Sequence, residues 1–252
     1  MGKFSGLLIC SDFDGTLAYR RIVSPATVEA IRYFQDHGGK FTLATGRYPD
    51  LVPESVVIAD LCNAPLVSLN GSLIYDRKQN RALYESFVPN IFTDALTELA
   101  KEPQGLREFM FFPRSSWEQI TLSPRQIGEM LRISEQPLYK VVIHVDGDVS
   151  DAITQRLRLL LGEEFSVCRS WLNGIEFNRA DSDKGTTARR VANMVGADQM
   201  IGVGDYENDL SLIREADVGY AMGNGVDALK AIADRVLDTV QNDGFAKMIY
   251  DL

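Results

Sequence analysis

Cysteine is scarce: Cys10, Cys62 and Cys168 are the whole complement, an odd number scattered without metal-ligand spacing. That argues against a disulfide framework and a zinc site and fits a reducing cytoplasm. Cations are short as well, with 26 Lys and Arg against 35 Asp and Glu and a formal net charge of -9. Nucleic-acid binding draws most of its affinity from clustered cations, which argues against a phosphate-backbone partner. An acidic chain that binds a phosphate needs local compensation, from a few focused Lys and Arg residues or from a divalent cation. No apolar run is long enough to span a bilayer, and the stretch Leu7 to Cys10 is too short for a signal core and runs into Asp12. Gly2 invites a myristoylation reading, but Gly6 stands where that pattern needs Ser or Thr. The expectation is an unanchored cytoplasmic protein. Internal repeats, low-complexity tracts and long linkers are also missing.

What the chain does have is 252 residues, 45% of them hydrophobic, enough for a full core in one large domain or two modest ones. Solid apolar strands alternate with amphipathic helices from the amino terminus. Leu7 to Ser11 reads as a strand; a helix opens at Pro25-Ala26-Thr27 with Ser24 as its cap and closes at Gly38-Gly39; Lys40 to Ala44 is again a strand. A second helix through Val52 to Leu61 and a short strand Leu66 to Leu69 follow. Successive β-α-β units with right-handed crossovers build a parallel sheet covered on both faces. The same texture resumes after Lys184: helix Gly185 to Met194, strand Met200 to Val203, helix Leu210 to Arg214, strand Gly219 to Met222, helix Val226 to Ala233. Between the two, a hairpin around Arg77 to Asn80 leads into helices and alternating strands such as Tyr139 to Val145, and the alternation predicts a sheet with one wet face. The expected fold class is α/β: a doubly wound, Rossmann-like parallel-sheet core of residues 1–76 and 180–252, with an α+β cap domain inserted at 77–179.

Chemistry-bearing residues gather where those buried strands run out, the end at which a parallel sheet meets its ligands. Asp12-Phe13-Asp14-Gly15-Thr16 follows the first strand. Residues two apart on an extended chain point the same way, so Asp12 and Asp14 can converge, and Gly15 permits the sharp turn. One carboxylate can attack phosphorus while its neighbour, kept partly protonated by the first charge, protonates the leaving oxygen. An Asp-Gly turn with a helix cap would use the same letters. Thr45-Gly46-Arg47 ends the Lys40 to Ala44 strand with a hydroxyl and freed N–H groups suited to a phosphoryl oxygen, although Thr45 would equally cap the next helix. Lys184 opens a helix, where a cation at the positive dipole end costs stability unless an anion sits there; the plain alternative is a solvated lysine. Gly204-Asp205-Tyr206-Glu207-Asn208-Asp209 packs three acids and an amide into one strand end, a density that suits a hard cation or an acid-rich helix start.

These four segments, D-x-D-G-T, T-G-R, a lysine and G-D-x-x-N-D, come in this order and each at its own element. Together they resemble the motif set of the haloacid dehalogenase (HAD) superfamily. The long insertion between the second and third motifs, with Asn70-Gly71 just before it, resembles the Cof-type phosphatases that carry a large α/β cap of the C2B type. The resemblance covers the whole chain. It implies that Asp12 is the phosphorylated nucleophile, and that Asp14 is general acid and later base for water. Thr45, Gly46, Lys184 and Asn208 would hold the phosphoryl group. Magnesium (Mg2+) would be ligated by the Asp12 carboxylate, the Asp14 main-chain oxygen and Asp205, with Asp209 as support and Arg47 pointing toward substrate. One departure is Asp181-Ser182-Asp183, where such proteins more often carry small neutral residues; the extra acids are expected to lower the field of Lys184.

The activity so implied is magnesium-dependent hydrolysis of a small phosphate monoester, a sugar phosphate or related metabolite, through a phosphoaspartate on Asp12. The cap would choose the substrate, with Arg107, Arg114, Arg125, His144, Arg169, Trp171 and Asn173 available to hold a hydroxylated leaving group, or simply solvated. Arg156 and Arg158 are expected on the outer face of a helix. A phosphosugar mutase of the phosphomannomutase kind is the alternative, since similar caps and motifs serve it. A non-hydrolytic phosphate-sensing receiver is a third reading, which the insertion and Asp14 oppose. The expected partner is a small phosphorylated metabolite, with neither nucleic acid nor membrane, and a monomer is expected because a cap can itself exclude solvent.

Overall fold

The computed structural model describes residues 2–50 and 61–252, so the expected helix Val52 to Leu61 lies, Leu61 apart, outside the described residues. The chain divides into two compact units, Met1–Tyr84 with Lys184–Leu252, and Glu85–Asp183.

The first unit opens with β1 (Leu7–Ser11), a two-residue hairpin pair β2 (Ala18–Tyr19) and β3 (Ile22–Val23), helix α1 (Pro25–Asp36) and β4 (Lys40–Leu43). Helix α1 starts where the capping chemistry predicts: the Ser24 hydroxyl accepts the Thr27 N–H at 3.1 Å and Pro25 occupies the first turn. Its buried face is Thr27, Ala30, Ile31 and Phe34, at helical spacing. A three-stranded sheet, ordered β5-β6-β7, follows from β5 (Leu66–Ser68), β6 (Leu73–Asp76) and β7 (Arg81–Glu85). Leu83 and Tyr84 of β7 pack against the core that holds Val67 and Ile74. The hairpin around Arg77 to Asn80 therefore stays with the first unit, and the division falls after Tyr84 and after Asp183, both later than the expected 76/77 and 179/180.

In the second unit come α2 (Phe92–Ala100), β8 (Leu106–Pro113), β9 (Ile120–Leu122), α3 (Ile127–Ile133), β10 (Leu138–Val145), α4 (Ser150–Leu161), β11 (Phe165–Trp171) and β12 (Gly174–Arg179). The strands form one antiparallel sheet ordered β11-β12-β10-β8-β9. Phe109, Phe111, Val141, Ile143, Ile175 and Phe177 line one face and join Phe92, Leu96, Leu99 and Leu157 of the helices in a single core. Each such phenylalanine contributes about 1.5–3 kcal/mol by leaving water. The other face corrects the expectation of a wet surface: Met110, Phe112, Lys140, Val142 and Glu176 are all buried there. Lys140 and Glu176 pair at 2.5 Å. The alternation of apolar with polar residues along β10 thus reflects an internally neutralised ion pair rather than solvation.

The chain returns to the first unit with α5 (Lys184–Met194), β13 (Gln199–Gly204), α6 (Leu210–Glu215), β14 (Val218–Ala221), α7 (Asp227–Lys230), β15 (Arg235–Val236) and α8 (Gly244–Asp251). Helix α7 is shorter than the expected Val226 to Ala233, because Ile232 and Ala233 turn out of the helix to lead into β15. The main sheet runs β15-β14-β13-β1-β4 with every pairing parallel. Strand β1 lies between two parallel neighbours: Ser11 pairs with Val203 of β13 on one side and with Leu43 of β4 on the other. A bridge between Ala44 and Val67 carries the parallel order on toward β5. The segments that leave β1, β4, β5 and β13 are consequently neighbours. Among the described residues, no helix is long and apolar enough to cross a membrane.

Candidate active site

Asp12 stands one residue beyond β1, its N–H still in the ladder as donor to the Val203 carbonyl at 2.9 Å. Its carboxylate is nearly buried, and Oδ1 accepts from Lys184 Nζ at 2.6 Å. The same ammonium donates at 2.6 Å to Asp209 Oδ1. Lys184, the first residue of α5, is 1% exposed, which rules out a solvated surface lysine. What lets α5 begin so deep is Gly185: a Cβ there would lie 2.1 Å from the Ser211 carbonyl oxygen at the start of α6.

The turn after β13 is closed by Asp209, whose Oδ2 accepts the N–H groups of Asp205 at 3.0 Å and Tyr206 at 3.1 Å. Asp205 in turn takes the Thr16 hydroxyl on Oδ1 at 2.9 Å. Between them lies Gly15, at φ +88°, where a Cβ would fall 2.3 Å from Asp205 Oδ2. The glycine of D-x-D-G-T is thus required both by its backbone and by its neighbour. Asn224, in the turn after β14, donates to the Gly15 carbonyl at 2.9 Å and accepts the Val240 N–H at 2.9 Å.

Asp14 is half-exposed and is gripped by a two-pronged fork, Arg47 Nε and Nη2 each 2.7 Å from its carboxylate oxygens. The guanidinium also lies 5.6 Å from the Phe13 ring centroid. Arg47 was expected to point toward substrate; its fork, a shape that matches a carboxylate, sits on Asp14. Thr45 is buried at the end of β4, its hydroxyl accepting the Arg47 N–H at 3.3 Å, with Gly46 between them. Asn208 donates through Nδ2 to Asn70 Oδ1 at 3.3 Å.

One carboxylate oxygen from each of Asp12, Asp205 and Asp209 lies within 4.8 Å of the others. Burial pushes Asp12 well above the usual carboxylate range, with Lys184 opposing and the charges of Asp209 and Asp205 adding. Burial, then the Asp209 charge, push Asp205 up to about 7, against the Thr16 hydrogen bond. For Lys184 burial pulls downward, but Asp12 and Asp209 outweigh it and hold the ammonium charged. Three carboxylates share a single lysine, so acid outnumbers cation here, and that surplus helps hold the Asp12 and Asp205 values up. Oxygen-only donors carrying that surplus fit a hard divalent cation.

The expected site residues thus fall into a buried cluster of Asp12, Lys184, Asp205 and Asp209, an Asp14–Arg47 pair, Thr45 with Gly46, and Asn208 held by Asn70. Two residues with clear roles were not foreseen, Thr16 and Asn224; the first lay inside the quoted motif, and the second between two glycines after an apolar strand. The acids before Lys184 do not behave as expected at Asp181, which turns to Arg179 at 3.3 Å and accepts the Ser182 hydroxyl. In the second unit most of the arginines expected to meet a leaving group are engaged locally: Arg107 with Asp146, Arg114 with Glu85, Arg169 with Asp151. His144 faces Glu108 at 3.4 Å, Arg125 is exposed, and the Asn173 carbonyl accepts from Val145. Trp171 is half-exposed, with its ring packed on Gly174. Arg156 pairs with Glu102 and Arg158 reaches the Val167 carbonyl.

A family profile described as haloacid dehalogenase-like hydrolase matches residues 9–249. The chain is 28% identical over 247 residues to a 5-amino-6-(5-phospho-D-ribitylamino)uracil phosphatase of Bacillus subtilis, covering 96% of this chain and 94% of that protein. It is 26% identical over 268 residues to a pyridoxal phosphate phosphatase of Escherichia coli, covering 96% and 97%. Its fold is similar to that of a HAD subclass IIB sugar phosphatase, with a TM-score of 0.80 over 97% of this chain and 98% of that one at 18% identity.

Proposed function

Since the chain belongs to the haloacid dehalogenase-like hydrolase family, whose relatives here are phosphatases, we propose that it hydrolyses a small phosphate monoester with magnesium through a phosphoaspartate on Asp12. The observation that carries this reading is the buried Asp12 carboxylate, tied at 2.6 Å to Lys184 beside two further acids. Lys184 holds one Asp12 oxygen, leaving the other to attack phosphorus. As that O–P bond forms, the bond to the leaving oxygen breaks and Asp14 supplies its proton. Asp14 then takes a proton from water, whose oxygen attacks the same phosphorus and frees the Asp12 carboxylate. Arg47 forks onto Asp14 while no phosphate is bound; an arriving phosphate dianion competes for that guanidinium, and Asp14 carries the proton it gives to the leaving oxygen once Arg47 has turned to the phosphate. Thr45, Gly46, Lys184 and Asn208 hold the phosphoryl oxygens. Asp12, Asp205 and the Asp14 main-chain oxygen, with Asp209 in support, would hold Mg2+, which would supply the positive charge that phosphoryl transfer demands.

The two named relatives act on phosphate monoesters of small metabolites, which supports a substrate of that class. We assign the choice among leaving groups to the inserted unit. The test is released phosphate from a panel of sugar phosphates and other metabolite monoesters, pyridoxal phosphate among them, with magnesium and with Asp12→Asn as control. Wild type is expected to hydrolyse at least one, and the variant to lose about 10³-fold or more. Undiminished activity in Asp12→Asn would sink the nucleophile; transfer between sugar positions without release would make the protein a mutase.

A further inference from the structure

Directly after β5 the backbone makes three left-handed residues in succession, Leu69 at φ +54°, Asn70 at φ +54° and Gly71 at φ +101°. Only the last is a glycine, and left-handed backbone is disfavoured for a residue with a Cβ, more for a leucine than for an asparagine. Both non-glycine residues are also buried. Strain of this kind persists only where the surroundings over-determine it, and here they do. The Leu69 N–H donates to the Arg47 carbonyl at 3.2 Å and the Asn70 N–H to the Thr45 carbonyl at 3.0 Å. The Gly71 carbonyl accepts the Thr187 hydroxyl of α5 at 2.8 Å. One strained turn thereby touches the Thr45–Arg47 segment, the helix that Lys184 opens and, through Asn70 Oδ1, the side chain of Asn208.

We propose that Asn70 is a positioning residue for phosphate: by accepting one N–H of the Asn208 amide it fixes which end of that amide faces the phosphoryl group. An amide left to itself can present either its oxygen or its nitrogen. With Nδ2 held on Asn70, the second N–H of the same nitrogen is directed as a donor, and the oxygen that would repel a phosphate is turned aside. Asparagine is also the side chain best able to occupy left-handed backbone while offering an acceptor. The strain is the cost of bringing that acceptor to Asn208. This inference rests on the phosphatase reading above.

The test is a double-mutant cycle read as the Kd of inorganic phosphate, by calorimetry in the presence of magnesium, so that no knowledge of the substrate is needed. Asn70→Gly keeps the left-handed backbone and removes the acceptor, so its melting temperature is expected to stay near wild type while phosphate binds about tenfold more weakly. Asn208→Ala is expected to lose about as much, and the double variant no more than Asn208→Ala alone. A double variant whose losses multiply, or Asn70→Gly with wild-type affinity, overturns the proposal. The Asn208 side-chain amide resonance gives a second readout: it is expected to move in Asn70→Gly, and an unmoved resonance also overturns the proposal. Wild type that binds no phosphate would bring down the phosphatase reading and this inference together, whereas phosphate binding with an additive cycle removes this inference alone.

Discussion

Lys184 is the residue on which the site's electrostatics turn, because among the described residues it is the cation that touches two buried carboxylates. Replacing it by Met leaves Asp12 and Asp209 facing each other without compensation, a change worth about 3–5 kcal/mol of stability. Urea unfolding of Lys184→Met is expected to register that loss in chelator, and a smaller loss with magnesium; equal losses in both would argue against a cation near these acids. Thr16 acts one step further out, as the hydroxyl that orients Asp205. Thr16→Val keeps the shape and removes the donor, so half-maximal activity should require about 10–100-fold more magnesium with little change in fold. Most of these identities were legible in the four motifs. That Arg47 would bind Asp14, and that Asn224 would brace the Gly15 carbonyl, was not, since the partners lie 33 and 209 residues apart in sequence.

Elements were readable wherever a local rule had no competitor. Helix α1 begins at its Ser24 cap, and the apolar runs Leu7 to Cys10 and Met200 to Val203 mark β1 and β13. The packing between α5 and α6 depends instead on a single missing side chain. Gly185→Ala would place a methyl group against the Ser211 carbonyl, and the strain is expected to cost about 1–3 kcal/mol and to lower turnover by shifting Lys184. Gly128, in the exposed first turn of α3, meets nothing within 4 Å of an added Cβ, so Gly128→Ala should stabilise by about 0.5–1 kcal/mol. Thermal unfolding of the two variants should move in opposite directions. The face of β10 was misread because alternation reports only that two faces differ; it does not distinguish water from a buried partner such as Glu176.

For the molecule as a whole, the acid limb of stability follows from carboxylates with lowered pKa values. Glu85 is lowered by Arg114 and Tyr139, Asp217 by Arg189 and the Met200 N–H, and Asp238 to about 2 by Lys247, Asn242 and the Thr239 N–H. A folded-state value below the unfolded one stabilises at pH above roughly 4 and is lost as pH falls through the folded value. The urea midpoint is therefore expected to drop from about pH 4 toward pH 2, less steeply in Asp217→Asn; a flat profile would show that these pairs add nothing. The sequence by itself determined the family, the parallel-sheet core and the acids at its strand ends, because apolar periodicity and short motifs are properties of consecutive residues. Only tertiary structure decided which acid meets which cation, that the hairpin near Arg77 belongs with the core, and that Leu69 and Asn70 adopt left-handed backbone. Those outcomes are set by pairings between distant segments, where burial makes each unmatched charge or hydrogen bond too costly to leave, and no local pattern records them.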